Sequence, residues 1–180
     1  MNKINSVAIF CGSKTGSNEL YTQHARELAD IVAEYKIELV YGGGKKGLMG
    51  IVADTVMNRS GIVKGVIPRT LSEREHQHDN ISELFVVDDM HIRKRKMYEL
   101  CDAVIILPGG FGTLDELFEV LTWNQLSIHD KKVFILNSGG FYDHLLKHLE
   151  FLAAEGFLWG AFDETITVLS EPKEFEKFIS

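Results

Sequence analysis

Seven short apolar runs constrain this chain more than anything else in it: SVAIFCGS (6–13), IELVYGG (37–43), GIVKGVIP (61–68), ELFVVD (83–88), AVIILPGG (103–110), KKVFILN (131–137) and TITVLS (165–170). They are rich in Val and Ile, and several are apolar throughout. Strands buried on both faces of a parallel sheet read this way, because neither face has to meet water. Helical patterns lie between most of them, over 19–35, 48–60, 90–101, 113–127 and 141–155. This alternation predicts an α/β fold: a doubly wound, mostly parallel sheet of about seven strands with helices on both faces. Right-handed crossovers then bring the carboxyl ends of the strands to one edge, where ligands sit near a reversal of strand order.

The 180 residues suit one domain, 1–180, around one sheet. A net charge of −7 argues against an extended nucleic-acid footprint, though it permits a local anion site. The two cysteines, Cys11 and Cys101, have neither disulfide nor zinc spacing and read as buried thiols. The first apolar run is too short for a signal-peptide core, and no stretch approaches about 18 apolar residues, so the expectation is a cytoplasmic protein without a membrane partner.

Glycines cluster where the runs end. Gly12 follows the first, Gly42 to Gly44 the second, and Gly109, Gly110 and Gly112 the fifth. Gly42, Gly44 and Gly47 match GxGxxG, but after the second strand, and GIVKGVIP supplies no acid for a ribose hydroxyl. That pattern suits a phosphate-approach loop or a packing turn rather than an NAD site. PGGFGT (108–113) is the sharper signal. Its glycines permit positive φ and bare N–H groups, and the following helix start adds its dipole. The polar stretch 69–82 reads as exposed and mobile, with a lid as the functional alternative.

Glu116 has two readings. Thr113-Leu-Asp-Glu116 fits a capping box, in which Glu116 bonds back to the Thr113 N–H. A carboxylate one turn above a phosphate cradle would instead serve a sugar carbon that becomes positive. Arg93 lies in a run of four basic residues, yet Met90, Met97 and Cys101 place its side of the helix inward. An inward guanidinium needs a partner: an ion pair, a phosphate or a catalytic carboxylate. Lys94 and Arg95 point elsewhere. His91 reads as capping or packing, and His76, His78, His129, His144 and His148 form no ligand cluster, so no metal is expected.

Together, CGS (11–13), VYGGGKKGLMG (40–50), GVIP (65–68), MHIRKRKM (90–97), LPGGFGTLDE (107–116), WNQL (123–126) and GFYDHLL (140–146) resemble the Lonely Guy family of cytokinin-activating phosphoribohydrolases. The resemblance implies a modified Rossmann fold, a homodimer and no cofactor. It implies hydrolysis of the N-glycosidic bond of N6-modified adenosine 5′-monophosphates, and of AMP in many members, to free base and ribose 5-phosphate. Its catalytic pair falls on Arg93 and Glu116, and its phosphate loop on Gly109, Gly110, Gly112 and Thr113. Gly12, Ser13, Gly43, Gly44 and Lys94 complete the expected binding set. Ile92, Ser127 and Lys132 depart from the family pattern without touching the catalytic pair.

The expected chemistry has Glu116 positioning or deprotonating the attacking water, with Arg93 holding Glu116 and keeping it ionised. Adenine would pack in an apolar slot between strand ends. The rival readings are a non-catalytic nucleotide or cofactor carrier of the same fold, and a pyridoxal-dependent lysine decarboxylase, an older label among relatives.

Overall fold

The computed structural model describes residues 3–72, 77–159 and 165–179. Seven strands form one parallel sheet: β1 (Ser6–Phe10), β2 (Glu38–Tyr41), β3 (Val63–Pro68), β4 (Glu83–Val87), β5 (Ala103–Ile106), β6 (Lys132–Leu136) and β7 (Ile166–Leu169). Their order is β4-β3-β2-β1-β5-β6-β7 and every pairing is parallel. The helices are α1 (Glu19–Glu34), α2 (Gly47–Asn58), α3 (Arg69–Ser72), α4 (Met90–Glu99), α5 (Phe111–Gln125) and α6 (Asp143–Ala154), with 3-10 turns at Ser138–Gly140 and Pro172–Phe178. The sequence expectation of a doubly wound α/β sheet holds, and the sheet is parallel throughout.

Strand periodicity divides the interior. Val7, Ile9, Leu39 and Tyr41 face one way, onto Leu28 and Val32 of α1 and Leu48 and Val52 of α2. Ala8, Phe10, Val40 and Val104 face the other, onto Met97 and Tyr98 of α4, Leu117 and Val120 of α5, and Leu149 of α6. Both faces are covered, which is why the strands carry no polar alternation. The C-terminal turn adds Phe175 and Phe178 against Phe134, at ring separations of 5.1 and 5.0 Å.

The order of strands creates the crevice. From β1 the chain winds outward through β2 and β3 to β4. It then returns through α4 to lay β5 on the opposite side of β1. The loops leaving β1 and β5 therefore diverge, and the space between them is open at the carboxyl edge. Their bases are tied together, since the Gly12 N–H donates to the Pro108 carbonyl at 3.0 Å. The Leu48 N–H donates to the Gly12 carbonyl at 3.0 Å and draws the start of α2 against the same loop.

One expectation changes here. Within the stretch 69–82, Arg69–Ser72 is a helical turn and residues 73–76, His76 among them, lie outside the described residues. Beyond them the chain is fastened rather than free. Gln77 bridges to Gly44, and the His78 N–H donates to the Gly43 carbonyl at 3.0 Å. The His78 ring is buried and its Nε2 lies 3.0 Å from Asp54 Oδ1. This long-range partner on α2 is what a polar local sequence conceals.

Candidate active site

A cleft of about 230 Å³ opens above β1 and β5. Gly12 and Ser13 form one side, Gly110, Gly112 and Thr113 the other, and Arg93 and Glu116 close it. Gly109 lines an adjoining cavity, of about 330 Å³, that shares Gly12, Ser13 and Gly110 with the cleft. Gly43 and Gly44 line neither; the Gly43 carbonyl is held by the His78 N–H.

Glu116 does not cap its helix. α5 begins at Phe111, and Gly110, in extended backbone with φ −99° and ψ −154°, is the cap residue. Thr113 is thus already the third helical residue and Glu116 the sixth, so the capping-box reading is overturned. Among the described residues no side chain caps the first turn of α5. Its leading N–H groups and positive dipole end face the cleft beside the Thr113 hydroxyl, an arrangement suited to an anion.

The glycines of PGGFGT work differently from the expectation. None has positive φ; that conformation belongs to Gly43 and Gly47 in the other loop. A Cβ added to Gly110 or Gly112 would meet nothing within 4 Å. Their absent side chains keep the approach to the backbone clear, while Gly109 lets Thr113 pack closely against it. Between them Phe111 stands 92 % exposed at the rim.

Glu116 is 5 % exposed and Arg93 9 %. Asp89 accepts the Ile92 N–H at 2.8 Å and so fixes the start of α4, which aims Arg93 inward. The guanidinium is anchored by backbone: Nε donates to the Val66 carbonyl at 3.0 Å and Nη2 to the Gly42 carbonyl at 3.1 Å. Among the described residues no ion pair joins Arg93 to Glu116 directly. Burial pushes the Glu116 carboxyl up to about 7, against the opposing pull of Arg93 and then Lys94. The expectation that Arg93 keeps Glu116 ionised is corrected accordingly. Desolvation outweighs the through-space pull of a guanidinium that is not ion-paired to the carboxylate.

Lys94 is also placed differently from the expectation of a phosphate ligand. It is buried, and its Nζ lies 2.8 Å from Asp115 Oδ2 and 3.3 Å from Glu119 Oε1. It does not line the cleft. Burial opposes its charge, but the Asp115 hydrogen bond and the charges of Glu116 and Glu119 outweigh that and hold the ammonium above its ordinary range.

Several cleft residues escaped the sequence reading. Met49 and Met90 supply soft apolar walls, and Cys11 lies at the base of the cleft. Burial pushes the Cys11 thiol up to about 12, so it packs rather than reacts. Asp115, beside Glu116, sits at the mouth. Among the described residues no group of three or more His, Cys, Asp or Glu is placed to hold a metal ion. No helix there is long and apolar enough to cross a membrane.

Known proteins resemble this chain at two levels. The molybdenum cofactor binding protein of Rippkaea orientalis superposes with a TM-score of 0.72 over 99 % of this chain and 96 % of its own. At 22 % identity that likeness concerns the fold alone. Closer in sequence is the probable cytokinin riboside 5′-monophosphate phosphoribohydrolase LOGL2 of Oryza sativa subsp. japonica. It is 44 % identical over 173 residues, covering 96 % of this chain and 71 % of the relative. The cytokinin riboside 5′-monophosphate phosphoribohydrolase LOG1 of Arabidopsis thaliana is 43 % identical over 98 % of this chain and 83 % of its own length. The family model described as possible lysine decarboxylase matches residues 49–178. The chain therefore belongs to the Lonely Guy family, the cytokinin riboside 5′-monophosphate phosphoribohydrolases, whose family model still carries the lysine decarboxylase description.

Proposed function

We propose that this protein, as one nucleotide-binding domain, hydrolyses the N-glycosidic bond of cytokinin riboside 5′-monophosphates to free base and ribose 5-phosphate. AMP is a second proposed substrate. The carrying observation is a buried carboxylate and a buried guanidinium facing one cleft beside an uncapped, glycine-lined helix start. Phosphate binds the leading N–H groups of α5 and the Thr113 hydroxyl, so that binding energy remote from the reacting bond positions the ribose. The anomeric carbon then lies by Glu116. As the bond to the base nitrogen lengthens, the carboxylate stabilises the positive sugar carbon and takes a proton from the attacking water. The proton taken from water passes on to the departing base nitrogen, so Glu116 returns to its ionised form and the cycle is proton-neutral. Arg93, locked by two carbonyls, presents its remaining N–H groups to the ribose or phosphate.

Glu116 must be ionised to accept that proton. Its pKa of about 7 in the free site predicts that kcat/KM falls by about tenfold per pH unit below that point and levels above it. Release of base from N6-isopentenyl-AMP, without added cofactor, tests the reading. Glu116→Gln should lower kcat on the order of a thousandfold while the protein stays folded. Binding without cleavage by the wild-type protein would favour the carrier reading. The decarboxylase reading lacks its nucleophile, since no lysine lines the cleft that holds Glu116 and Lys94 is engaged by two carboxylates.

The homodimer is part of this proposal. Phe118 and Trp159 are exposed and line an apolar groove between α5 and α6. A second copy would bury them. Sedimentation of the wild type against Trp159→Glu checks this, with a dimer-to-monomer shift expected.

A further inference from the structure

We infer that Tyr98 is a positioning residue for Glu116, its hydroxyl holding one carboxylate oxygen so that the other stays free for substrate. The inference rests on the hydrolase reading above and deepens it. The Tyr98 hydroxyl lies 3.4 Å from Glu116 Oε2 and 3.3 Å from the Glu116 carbonyl oxygen. No other side chain among the described residues hydrogen-bonds this carboxyl group. The shared, long contact suits a donor waiting between two acceptors, and catalytic hydrogen bonds often tighten only when the site is filled.

The ring has nowhere to go. It is buried against Phe10, Trp123 and His129, with centroids 6.1, 5.1 and 5.5 Å away. A flip about its long axis leaves the hydroxyl in place, so the donor is fixed by packing rather than by solvent. It also remains a donor: burial, reinforced by the charges of Glu116 and Glu119, drives the phenol far above its ordinary range.

The other charged groups around Glu116 act without such contact. Arg93 and Lys94 on α4 favour its charged form through space, and Glu119 and Asp115 on α5 oppose it. Cys11 of the β1 loop lies in the same cleft with its thiol protonated. Among the described residues, Tyr98 alone adds direction. It favours the ionised carboxylate and selects which oxygen it holds.

Tyr98→Phe keeps the ring and deletes the hydroxyl. In 13C-glutamate-labelled protein, the Glu116 carboxyl signal is assigned by its loss in Glu116→Gln, and its titration is followed by NMR. Removal of the donor should raise the Glu116 midpoint by about one pH unit, the worth of one hydrogen bond to a charged group. With N6-isopentenyl-AMP, kcat should fall about tenfold and the acid limb of the rate profile should move up by the same unit. KM should stay within about twofold, because the binding groups are untouched. A fluorinated tyrosine at position 98, a stronger donor of nearly the same shape, should move the midpoint down; it also serves if the Phe variant folds poorly. An unchanged midpoint in both variants overturns the inference, as does a KM change with kcat intact. If the wild type cleaves neither nucleotide, the hydrolase reading fails by itself, and the titration still decides whether Tyr98 sets the state of Glu116.

Discussion

Two glycine loops meet at the carboxyl edge of the sheet, and they use glycine for opposite ends. In the loop after β2, the spaces beside Gly42, Gly43 and Gly47 are already filled by protein. Gly43 and Gly47 have positive φ, and a Cβ on Gly47 would overlap the backbone of Ser13 and Lys14. A Cβ on Gly42 would overlap the Arg93 guanidinium. In the loop after β5, φ is ordinary and the space beside Gly110 and Gly112 is clear. The first loop is packed and the second is open. The GxGxxG match thus marks a junction of three elements, and PGGFGT marks the open side of the cleft.

Gly47→Ala should produce the largest effect. Left-handed backbone strain and the forced separation of two loops together cost on the order of 4 kcal/mol. For a domain of this size that lowers Tm by on the order of 10 °C, measured by calorimetry. A variant with unchanged Tm would break the distinction between the loops. Gly42→Ala comes next, because the atom it displaces is the movable end of a side chain. The fold should survive with a modest loss of Tm, while kcat drops on the order of a hundredfold as Arg93 leaves its carbonyl anchors. A variant that loses Tm but keeps kcat would show that Arg93 acts only as packing.

The comparison also shows what a sequence can disclose. The sheet was legible because strands buried on both faces need unbroken apolar runs, and Arg93 because Met90 and Met97 locate its face. The role of each glycine was not, since the letter alone does not distinguish a residue needed for its φ from one needed for its emptiness. The capping box failed through a three-residue error in the cap position. Thr113 and Glu116 have the right spacing, but Gly110 takes the cap and the helix begins earlier. Lys94, His78 and Tyr98 depended on partners from elsewhere in the chain: Asp115 and Glu119, Asp54, and Glu116. Burial of Glu116 beyond the reach of an Arg93 ion pair likewise follows from packing that no local pattern encodes.

Gly112→Ala gives the smallest and most discriminating effect. Position 112 is the second residue of α5, where Ala suits a helix better than Gly, and the new methyl group meets nothing within 4 Å. Stability should therefore hold, or rise by up to about 1 kcal/mol. The methyl group would project into the cleft, beside N–H groups that the proposed phosphate needs to approach. KM for N6-isopentenyl-AMP should rise about tenfold, the loss of one charge-assisted hydrogen bond. Inhibition by inorganic phosphate should weaken in parallel, because that ion shares the site without the ribose or base. This separates the loops in one measurement: in the packed loop a methyl group costs stability, heavily at Gly47 and modestly at Gly42, whereas here binding should fail in a protein at least as stable as its parent. A fall in Tm with KM unchanged would assign PGGFGT to packing as well and remove the phosphate from its proposed seat.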